Sequence, residues 1–227
     1  MAHDLPYAPF VVLAFLGAGF LVAASALGVL AAALFRRARL VPWIGGFGLL
    51  VIGVYAALLL AASATSREIV LGPGEKKYFC EIDCHLAYSV AGTETTPLLG
   101  PPLDPVRARG RFTVVRLRTW FDETTISPRR GMSPLAPNPR RVFVKDAAGR
   151  RYDRSPEGER ALAASGRAST SLDTPLRPGE SYETLLVFDL PADVRGARLF
   201  VGSEGPELNL LIGHDQSLLH RRIWFQL

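Results

Sequence analysis

The residues best suited to chemistry lie close together in the segment "FCEIDCHLAYSV", which spans residues 79–90. It contains both cysteines of the chain, Cys80 and Cys84, and His85 follows the second cysteine directly. Thiolate and imidazole groups bind soft metal ions, and two neighbouring thiols form a disulfide in an oxidising compartment. The chemistry expected of this segment therefore depends on the compartment in which it lies.

The spacing of the two cysteines restricts the local backbone. In an extended strand, residues four apart are separated by ~13 Å, at ~3.3 Å per residue. A disulfide requires Cα atoms within about 7 Å of each other. Residues 81–83 must therefore form a turn or bulge if the two sulfurs are to meet. Three interpretations remain open: a disulfide between Cys80 and Cys84, a copper or zinc site, and two free thiols.

The metal interpretation needs a ligand from elsewhere in the chain. Cys80, Cys84 and His85 would be completed by a distant histidine, either His214 or His220. Both histidines lie in "GHDQSLLHRRIW", and no spacing motif singles them out as ligands. A histidine in such a loop also serves to cap a turn or to bond the backbone.

Two long apolar runs occupy residues 1–66. Residues 10–35 and 40–66 contain no charged side chain, and only the sequence "RRAR" separates the two runs. Because a helix needs ~20 apolar residues to cross the hydrocarbon core, both runs are long enough to span a membrane. The sequence predicts a transmembrane hairpin with spans at about residues 10–35 and 40–64, followed by a separate domain at 67–227.

The flanking charges predict the orientation of the hairpin. The start "MAHDLPYAP" has no Lys or Arg, and the apolar run exceeds the roughly 7–15 residues of a cleaved signal peptide. The basic residues at 36–39 favour the cytoplasmic side, because Lys and Arg in short loops resist translocation. Both termini would then lie outside. We therefore expect a bacterial inner-membrane protein whose residues 67–227 occupy the periplasm.

Small residues are frequent in both predicted spans. Three pairs have the small-x3-small spacing that allows two helix backbones to approach closely: Gly19/Ala23, Ala24/Gly28 and Gly53/Ala57. Neither span carries an ionisable side chain, which argues against a channel, a pump or a proton relay. The pattern indicates helix packing, either within the hairpin or against the helices of another protein.

Strand signals dominate residues 67–227. In Arg111–Phe121, apolar and polar residues alternate, which places Val115, Leu117 and Phe121 on one face. The sequence predicts a hairpin around Asp146–Gly149 and one short helix at 156–166. Further strands are predicted at 77–80, 86–90, 181–191, 197–203 and 221–227. Six to eight short strands in such a length predict an antiparallel β-sandwich.

The charge balance and the motifs exclude several classes of function. Residues 67–227 contain 23 Lys and Arg against 20 Asp and Glu, which is too small an excess to indicate a nucleic-acid partner. The chain contains no G-x-S-x-G, no H-E-x-x-H and no glycine-rich phosphate loop. We therefore expect no catalytic residues, no resident cofactor and no enzymatic activity.

The second half of the chain resembles a known class of domain. The segments "LRPGESYETLLVFDLPADVRGARLFV" (176–201) and "IGHDQSLLHRRIWFQL" (212–227) resemble immunoglobulin-like domains of unknown function on many bacterial secreted and anchored proteins. In those domains a Pro-Gly-Glu turn precedes a strand that ends in an Asp-x-Pro corner. The resemblance covers about residues 70–227. It implies an immunoglobulin-like antiparallel sandwich that binds a ligand or adheres to a surface, without catalysis.

A second resemblance concerns the architecture. A two-helix hairpin that carries an outward β-domain with a Cys-x3-Cys motif is similar to subunit II of haem–copper oxidases, where the motif helps to hold a dinuclear copper centre. That family has a His four residues after the second cysteine and a Met three residues later. This chain has Tyr88 and Ala91 there, and its motif begins the β-domain instead of ending it. These departures put the copper centre in doubt.

Together these features predict a membrane-anchored accessory subunit. We expect it to dock, through its helices and its outer domain, to other subunits of a membrane complex of the respiratory or photosynthetic type. Trp120, Arg129 and Arg130 are candidate interface residues, because Trp and Arg are enriched at protein interfaces. The alternative is a periplasmic copper protein for electron transfer or metal delivery, built on Cys80, Cys84 and His85 with a distant His.

Overall fold

The computed structural model describes residues 2–5, 7–80, 85–127 and 129–227, and these residues form two compact units. The β unit consists of Met1–Asp4, Glu68–Glu204 and Arg222–Leu227. The helical unit consists of Leu5–Arg67 and Gly205–Arg221. The division differs from the predicted boundary at 66/67 in two places, because the N-terminal residues belong to the β unit and 205–221 group with the helices.

Two long helices follow the predicted spans closely. Helix α1 is Ala8–Leu34 and helix α2 is Val41–Thr65, joined through a short 3-10 turn at Ala38–Leu40. Each helix has a proline in its first turn, where the missing N–H costs no intrahelical hydrogen bond. Both helices are long and apolar enough to cross a membrane, as the sequence predicts. The arginines of the connection, at 36, 37 and 39, are exposed.

Glycine and serine line the contact between the two helices. A Cβ atom added at Gly48 would lie 3.0 Å from the Cβ of Ser25, and one added at Gly28 would lie 3.1 Å from Cγ2 of Ile44. These distances are tighter than ordinary contacts, so the two glycines let the helices approach each other. The hairpin therefore uses some, but not all, of its small residues for its own packing.

Within the described residues the β unit contains ten strands in two five-stranded sheets. The first sheet has the order β1-β3-β4-β5-β8, and the second has the order β2-β10-β9-β6-β7. The strands are β1 Ala2–His3, β2 Ile69–Leu71, β3 Lys77–Phe79, β4 Leu86–Leu99, β5 Val106–Phe121, β6 Arg140–Lys145, β7 Arg151–Tyr152, β8 Ser181–Leu190, β9 Arg198–Ser203 and β10 Ile223–Gln226.

One core lies between the two sheets. The alternation predicted for β5 is confirmed, because Val115, Leu117 and Phe121 are fully buried. They pack with further residues of the first sheet and with residues of the second sheet: Phe79, Tyr88, Leu186, Phe188, Val142, Val144, Leu199, Val201, Ile223 and Phe225. The β domain is therefore a two-sheet sandwich whose inner faces come from alternate strand positions.

Strand pairing departs from the prediction in two respects. Antiparallel pairing dominates, and the hairpin around Asp146–Gly149 is confirmed by the pairing of β6 with β7. Two pairs are parallel, however: β1 with β3, and β10 with β2. Strand β4 also continues to Leu99, well beyond the predicted end at Val90, because it pairs with β5 along most of its length.

A third helix covers the outer face of the first sheet. Helix α3 is Pro156–Ala164. Ser155 is its N-cap residue, and the side chain of Ser155 accepts a hydrogen bond from the backbone N–H of Gly158. Its buried residues pack against Phe112 and Val187. A Cβ added at Gly158 would lie 2.6 Å from Cγ1 of Val187, so only glycine allows the helix to lie this close to the sheet.

Candidate functional site

The described residues of the predicted cysteine–histidine segment lie at the end of β3 and at the start of β4, which pair antiparallel. Phe79 pairs with Leu86, so Cys80 and His85 come next on the two sides of residues 81–84. Cys84 and residues 81–83 lie outside the described residues. The predicted Cys80–Cys84 disulfide and its turn therefore stay predictions. Cys80 is 4 % exposed and His85 is 6 % exposed, so both side chains are buried.

The N-terminal residues of the β unit meet Cys80. Strand β1 runs parallel to β3, and the imidazole of His3 stacks on the ring of Tyr78 with centroids 5.2 Å apart. Nδ1 of His3 lies 3.6 Å from Sγ of Cys80. The backbone N–H of Cys80 donates to Oδ1 of Asp4 at 2.8 Å. No sequence motif points to His3, because this contact is made by residues 77 positions apart.

Asp122, just after β5, organises the polar side chains nearby. One carboxylate oxygen accepts the hydroxyl of Tyr78 at 2.6 Å. The other accepts the backbone N–H and the hydroxyl of Thr124, at 3.0 and 2.6 Å. Burial alone would raise the pKa of Asp122, but the hydrogen bonds from Thr124 and Tyr78 and the nearby charge of Lys76 lower it overall. Burial, together with the bond to Asp122, raises the pKa of Tyr78.

His85 is held by its neighbours in one tautomer. Its Nδ1 lies 2.6 Å from the hydroxyl oxygen of Thr125, and that hydroxyl donates to the backbone oxygen of Asp122 at 2.9 Å. Because the hydroxyl has a single hydrogen, Nδ1–H of His85 is then the donor to Thr125. The ring itself stacks on Phe121, with centroids 5.8 Å apart.

We refer to His3, Asp4, Tyr78, Cys80, His85 and Asp122 as the β3 cluster. The pKa shifts keep Tyr78 protonated and Asp122 ionised near neutral pH. The cluster joins β1, β3 and the end of β5 through hydrogen bonds and ring stacking. The contacts of the cluster therefore hold these three elements together around Cys80.

Replacing Asp122 with asparagine tests how much its hydrogen bonds stabilise the β unit. We expect the free energy of unfolding at pH 7 to fall by about 2 kcal/mol, because hydrogen bonds to a charged acceptor contribute about 1.5–3 kcal/mol. The lowered pKa means that the carboxylate stabilises the fold fully above its ordinary pKa of about 3.9, and that this stability is lost as the pH falls through the folded-state pKa. Urea titrations of the detergent-solubilised chain between pH 3 and 7 provide the measurement.

The matched control is Asp104→Asn, at an exposed position in the β4–β5 connection. It should leave both the stability and its pH dependence unchanged. If Asp122→Asn and the wild type lose stability equally between about pH 4 and pH 3, the ordinary carboxyl range, the assigned role of Asp122 is wrong.

Two cationic side chains, Lys77 and Arg140, are buried in the β unit. Lys77 is fully buried, donates to the backbone oxygen of Val201 at 2.6 Å, and lies 4.9 Å from the centre of the Phe79 ring. Arg140 is 8 % exposed, and its guanidinium lies 4.2 Å from the same ring. It donates to the hydroxyl of Tyr88 at 3.1 Å. The strand pattern of the sequence does not predict that either side chain is buried, because long cationic side chains are almost always exposed unless they are paired.

The predicted interface residues lie near the cluster. The ring of Trp120 is half-buried, and Nζ of Lys76 lies 3.3 Å from its centre. The guanidinium of Arg130 lies 4.8 Å from the ring of Phe121, and it also donates to the backbone oxygen of Ser133. Arg129 is exposed. Trp120 and Arg130 are therefore engaged within the β unit, whereas Arg129 extends into solvent.

The distant histidines have local hydrogen bonds. Nδ1 of His214 accepts the backbone N–H of Gln216 at 3.0 Å, so the buried ring caps a turn. Nδ1 of His220 lies 2.8 Å from the backbone oxygen of Arg221. Across residues 2–5, 7–80, 85–127 and 129–227, no group of three or more His, Cys, Asp or Glu side chains could hold a metal ion. Because Cys84 lies outside these ranges, the copper interpretation stays a prediction.

Comparisons with known proteins give little guidance. No protein-family model matches the chain, and no curated protein matches it. Among solved structures, the chain is similar to a conserved hypothetical protein from Bacillus anthracis, with 14 % identity and a TM-score of 0.39. That match covers 52 % of this chain and 82 % of the other.

Proposed function

We propose that this chain is a non-catalytic, membrane-anchored accessory subunit that docks to a larger membrane complex of the respiratory or photosynthetic type. In this proposal the helices bind neighbouring helices, and an immunoglobulin-like β unit offers a further contact surface that includes Arg129. The β unit lies on the periplasmic side of a bacterial inner membrane. The observation that carries the proposal is the position of the glycines that the hairpin itself does not use.

Gly46 and Gly53 face open space. A Cβ added at either position would meet no atom within 4 Å, whereas Gly28 and Gly48 are in close contact with the other helix. The two open glycines are seven residues apart, which is close to two full turns, so they lie on the same face of α2. Gly46 lies two positions before Gly48, and Gly53 lies two positions before Tyr55. Both Gly48 and Tyr55 face α1. Two positions rotate by about 200°, so the glycine face points away from α1.

Glycine on an open helix face lowers the stability of the helix, unless it allows another helix to pack closely. In a helix interior glycine is about 1 kcal/mol less favourable than alanine. In membranes, small residues let a second helix approach closely enough for van der Waals contact and interhelical hydrogen bonding. Since the hairpin gains nothing from Gly46 and Gly53, a helix of another subunit accounts for their presence.

The sheet pairing supports the predicted topology. Residues 2–3 precede α1 and residues 77–79 follow α2, and these segments are neighbours in one sheet. They must lie on the same side of a membrane, so the chain between them crosses an even number of times. Two crossings by α1 and α2 meet this condition. The arginines at 36, 37 and 39 then favour the cytoplasm for the connection.

A leucine at either open glycine tests the proposal. We expect Gly46→Leu and Gly53→Leu to lower the recovery of a stoichiometric membrane partner at least tenfold, because each adds bulk where a helix would pack. The full-length tagged chain is extracted from its native membrane in digitonin, and co-purifying subunits are identified and quantified by mass spectrometry. Val54→Leu, a small volume change at an exposed position beside Gly53, is the matched control and should not change recovery.

Recovery of the wild-type chain alone after this extraction would contradict the proposal. Equal partner recovery from wild type and from both glycine variants would contradict the role of the glycine face. Copper in a one-to-one ratio in the same preparation, lost in Cys84→Ser, would instead support the copper protein, and a count of free thiols under denaturing conditions distinguishes it from the disulfide.

A further inference from the structure

In the segment 205–221, between β9 and β10, the exposed residues of the stretch 210–219 are all leucines, and its polar side chains are buried or half-buried, whereas Glu207, Asn209 and Arg221 on either side of this stretch are exposed. The buried residues include His214, Asp215 and Ser217, which are 2, 1 and 5 % exposed. The exposed residues include Leu210, Leu218 and Leu219, which are 50, 54 and 75 % exposed. A loop in water shows the reverse arrangement. The arrangement of side chains at 210–219 therefore suits surroundings that are less polar than water.

Leu219 adds to this arrangement. Its backbone has φ 63°, in the left-handed region that is unfavourable for a residue with a branched side chain. In this conformation three quarters of the surface of Leu219 is exposed. In water, both the left-handed backbone and the exposed apolar side chain would be unfavourable.

The segment also provides partners for its own backbone. Leu218 N–H donates to the backbone oxygen of Asn209 at 2.9 Å, and Arg221 N–H donates to the hydroxyl of Ser66 at 2.9 Å. Further backbone N–H groups with partners inside the segment are those of Leu211, His214, Gln216, Ser217 and His220. Non-helical backbone is tolerated at membrane depth only when its polar groups are satisfied in this way.

Tyr55 fixes the depth of the segment relative to the helices. Its hydroxyl donates to the backbone oxygen of Leu210 at 2.8 Å. Tyr55 lies 14 positions after Val41, hence ~21 Å along α2 from the arginine connection at 1.5 Å per residue. A hydrocarbon core is ~30 Å thick. If the arginines mark one boundary, Leu210 lies inside the leaflet at the opposite side.

A cavity of about 380 Å³ lies between the segment and the two helices. Its lining includes Phe15, Gly19, Val22, Tyr55, Leu210 and Leu218, and the other lining residues are likewise apolar. The one polar side-chain group, the Tyr55 hydroxyl, is already bonded to Leu210. No lining side chain is therefore left to bind a polar ligand. The lining therefore suits an apolar chain without polar groups along its length, such as the acyl chain of a phospholipid.

We propose that the stretch 210–219 is immersed in the leaflet opposite the arginine connection, and that the cavity beneath it holds one acyl chain of a membrane phospholipid. The exposed leucines contact neighbouring acyl chains, while the buried polar side chains and the paired backbone keep polar groups away from lipid. This inference concerns a different surface from the glycine face of α2 and does not depend on the accessory function.

The test uses the full-length chain in phosphatidylcholine vesicles that contain phosphatidylcholine with a diazirine in its acyl chain. After illumination, adducts are mapped by mass spectrometry of peptides. We expect adducts on the 205–221 peptides as well as on α1 and α2. Gly19→Leu places a side chain in the cavity, and it should lower the adduct yield at least fivefold at Tyr55 and Leu59, which line the cavity and are half-buried and buried.

Gly17→Leu is the matched control, because a side chain at Gly17 also meets no atom within 4 Å but does not line the cavity. It should leave the yield unchanged. Labelling of both helices without labelling of 205–221 would overturn the immersion of the segment. Equal yields from Gly19→Leu and Gly17→Leu would overturn the bound chain.

Discussion

Replacing Gly110 with alanine is expected to lower the free energy of unfolding of the β unit by about 3 kcal/mol, the upper end of the usual overpacking range. Gly110 lies in β5, and a Cβ there would fall 2.1 Å from the backbone oxygen of Leu190 and 2.9 Å from Cα of Pro191. Both atoms belong to the backbone, so no side-chain rotation relieves the clash. Strands β5 and β8 would have to separate where Asp189 accepts the N–H groups of Arg109 and Gly110.

Gly92→Ala is the matched control for this prediction. A Cβ at Gly92, in β4, would lie 2.7 Å from a guanidinium nitrogen of Arg116, which is the far end of an exposed, flexible side chain. Arg116 can swing away, so we expect a change within about 0.5 kcal/mol. Urea titrations in detergent, followed by tryptophan fluorescence, compare the two variants. Equal midpoints would mean that the β5–β8 contact at Gly110 is looser than described.

Arg140→Ala should have a similarly large effect, also about 3 kcal/mol, since hydrogen bonds from charged groups contribute about 1.5–3 kcal/mol and a desolvated cation–π contact adds to this. The substitution removes the hydrogen bond to the buried hydroxyl of Tyr88, the bond to Ser203 at 2.8 Å, and the stacking on Phe79. These contacts connect β6 in the second sheet to β3 and β4 in the first, so their loss weakens the link between the sheets.

The adjacent residue supplies the comparison. Arg141 is exposed, and its guanidinium lies 5.9 Å from the centre of the Phe143 ring. Arg141→Ala should cost about 0.5 kcal/mol, as expected of an exposed cation–π contact. The same urea titration measures both variants. A loss below about 1 kcal/mol for Arg140→Ala, within the range of ordinary surface substitutions, would mean that its guanidinium is solvated instead of buried.

Elements with a strong local pattern could be predicted from the sequence. The two long helices follow from uninterrupted apolar runs, and the inner face of β5 follows from a period of two. The β6–β7 hairpin was signalled by the turn around Asp146–Gly149, where the Asp146 carboxylate accepts the backbone N–H of Arg150. In each case the residues that decide the structure are neighbours in the chain.

Contacts between distant residues could not be predicted in this way. Ala2–His3 is too short to register as a strand, and its partner β3 is some 75 residues away across the whole hairpin. The sequence analysis includes 205–221 in the domain at 67–227, because no local pattern shows that these residues group with the helices. The burial of Lys77 and Arg140 could not be predicted, since a sequence pattern cannot show which aromatic rings and carbonyl groups will surround a cation.

The short strand β1 has a consequence for biosynthesis. It is translated before both helices, whereas its partner β3 emerges from the ribosome only after both helices have been made. The edge of the first sheet therefore stays open until the N-terminal residues have been carried to the side where β3 folds. A chain whose first helix inserts the wrong way round cannot close that edge, so completion of the sheet acts as a check on membrane insertion.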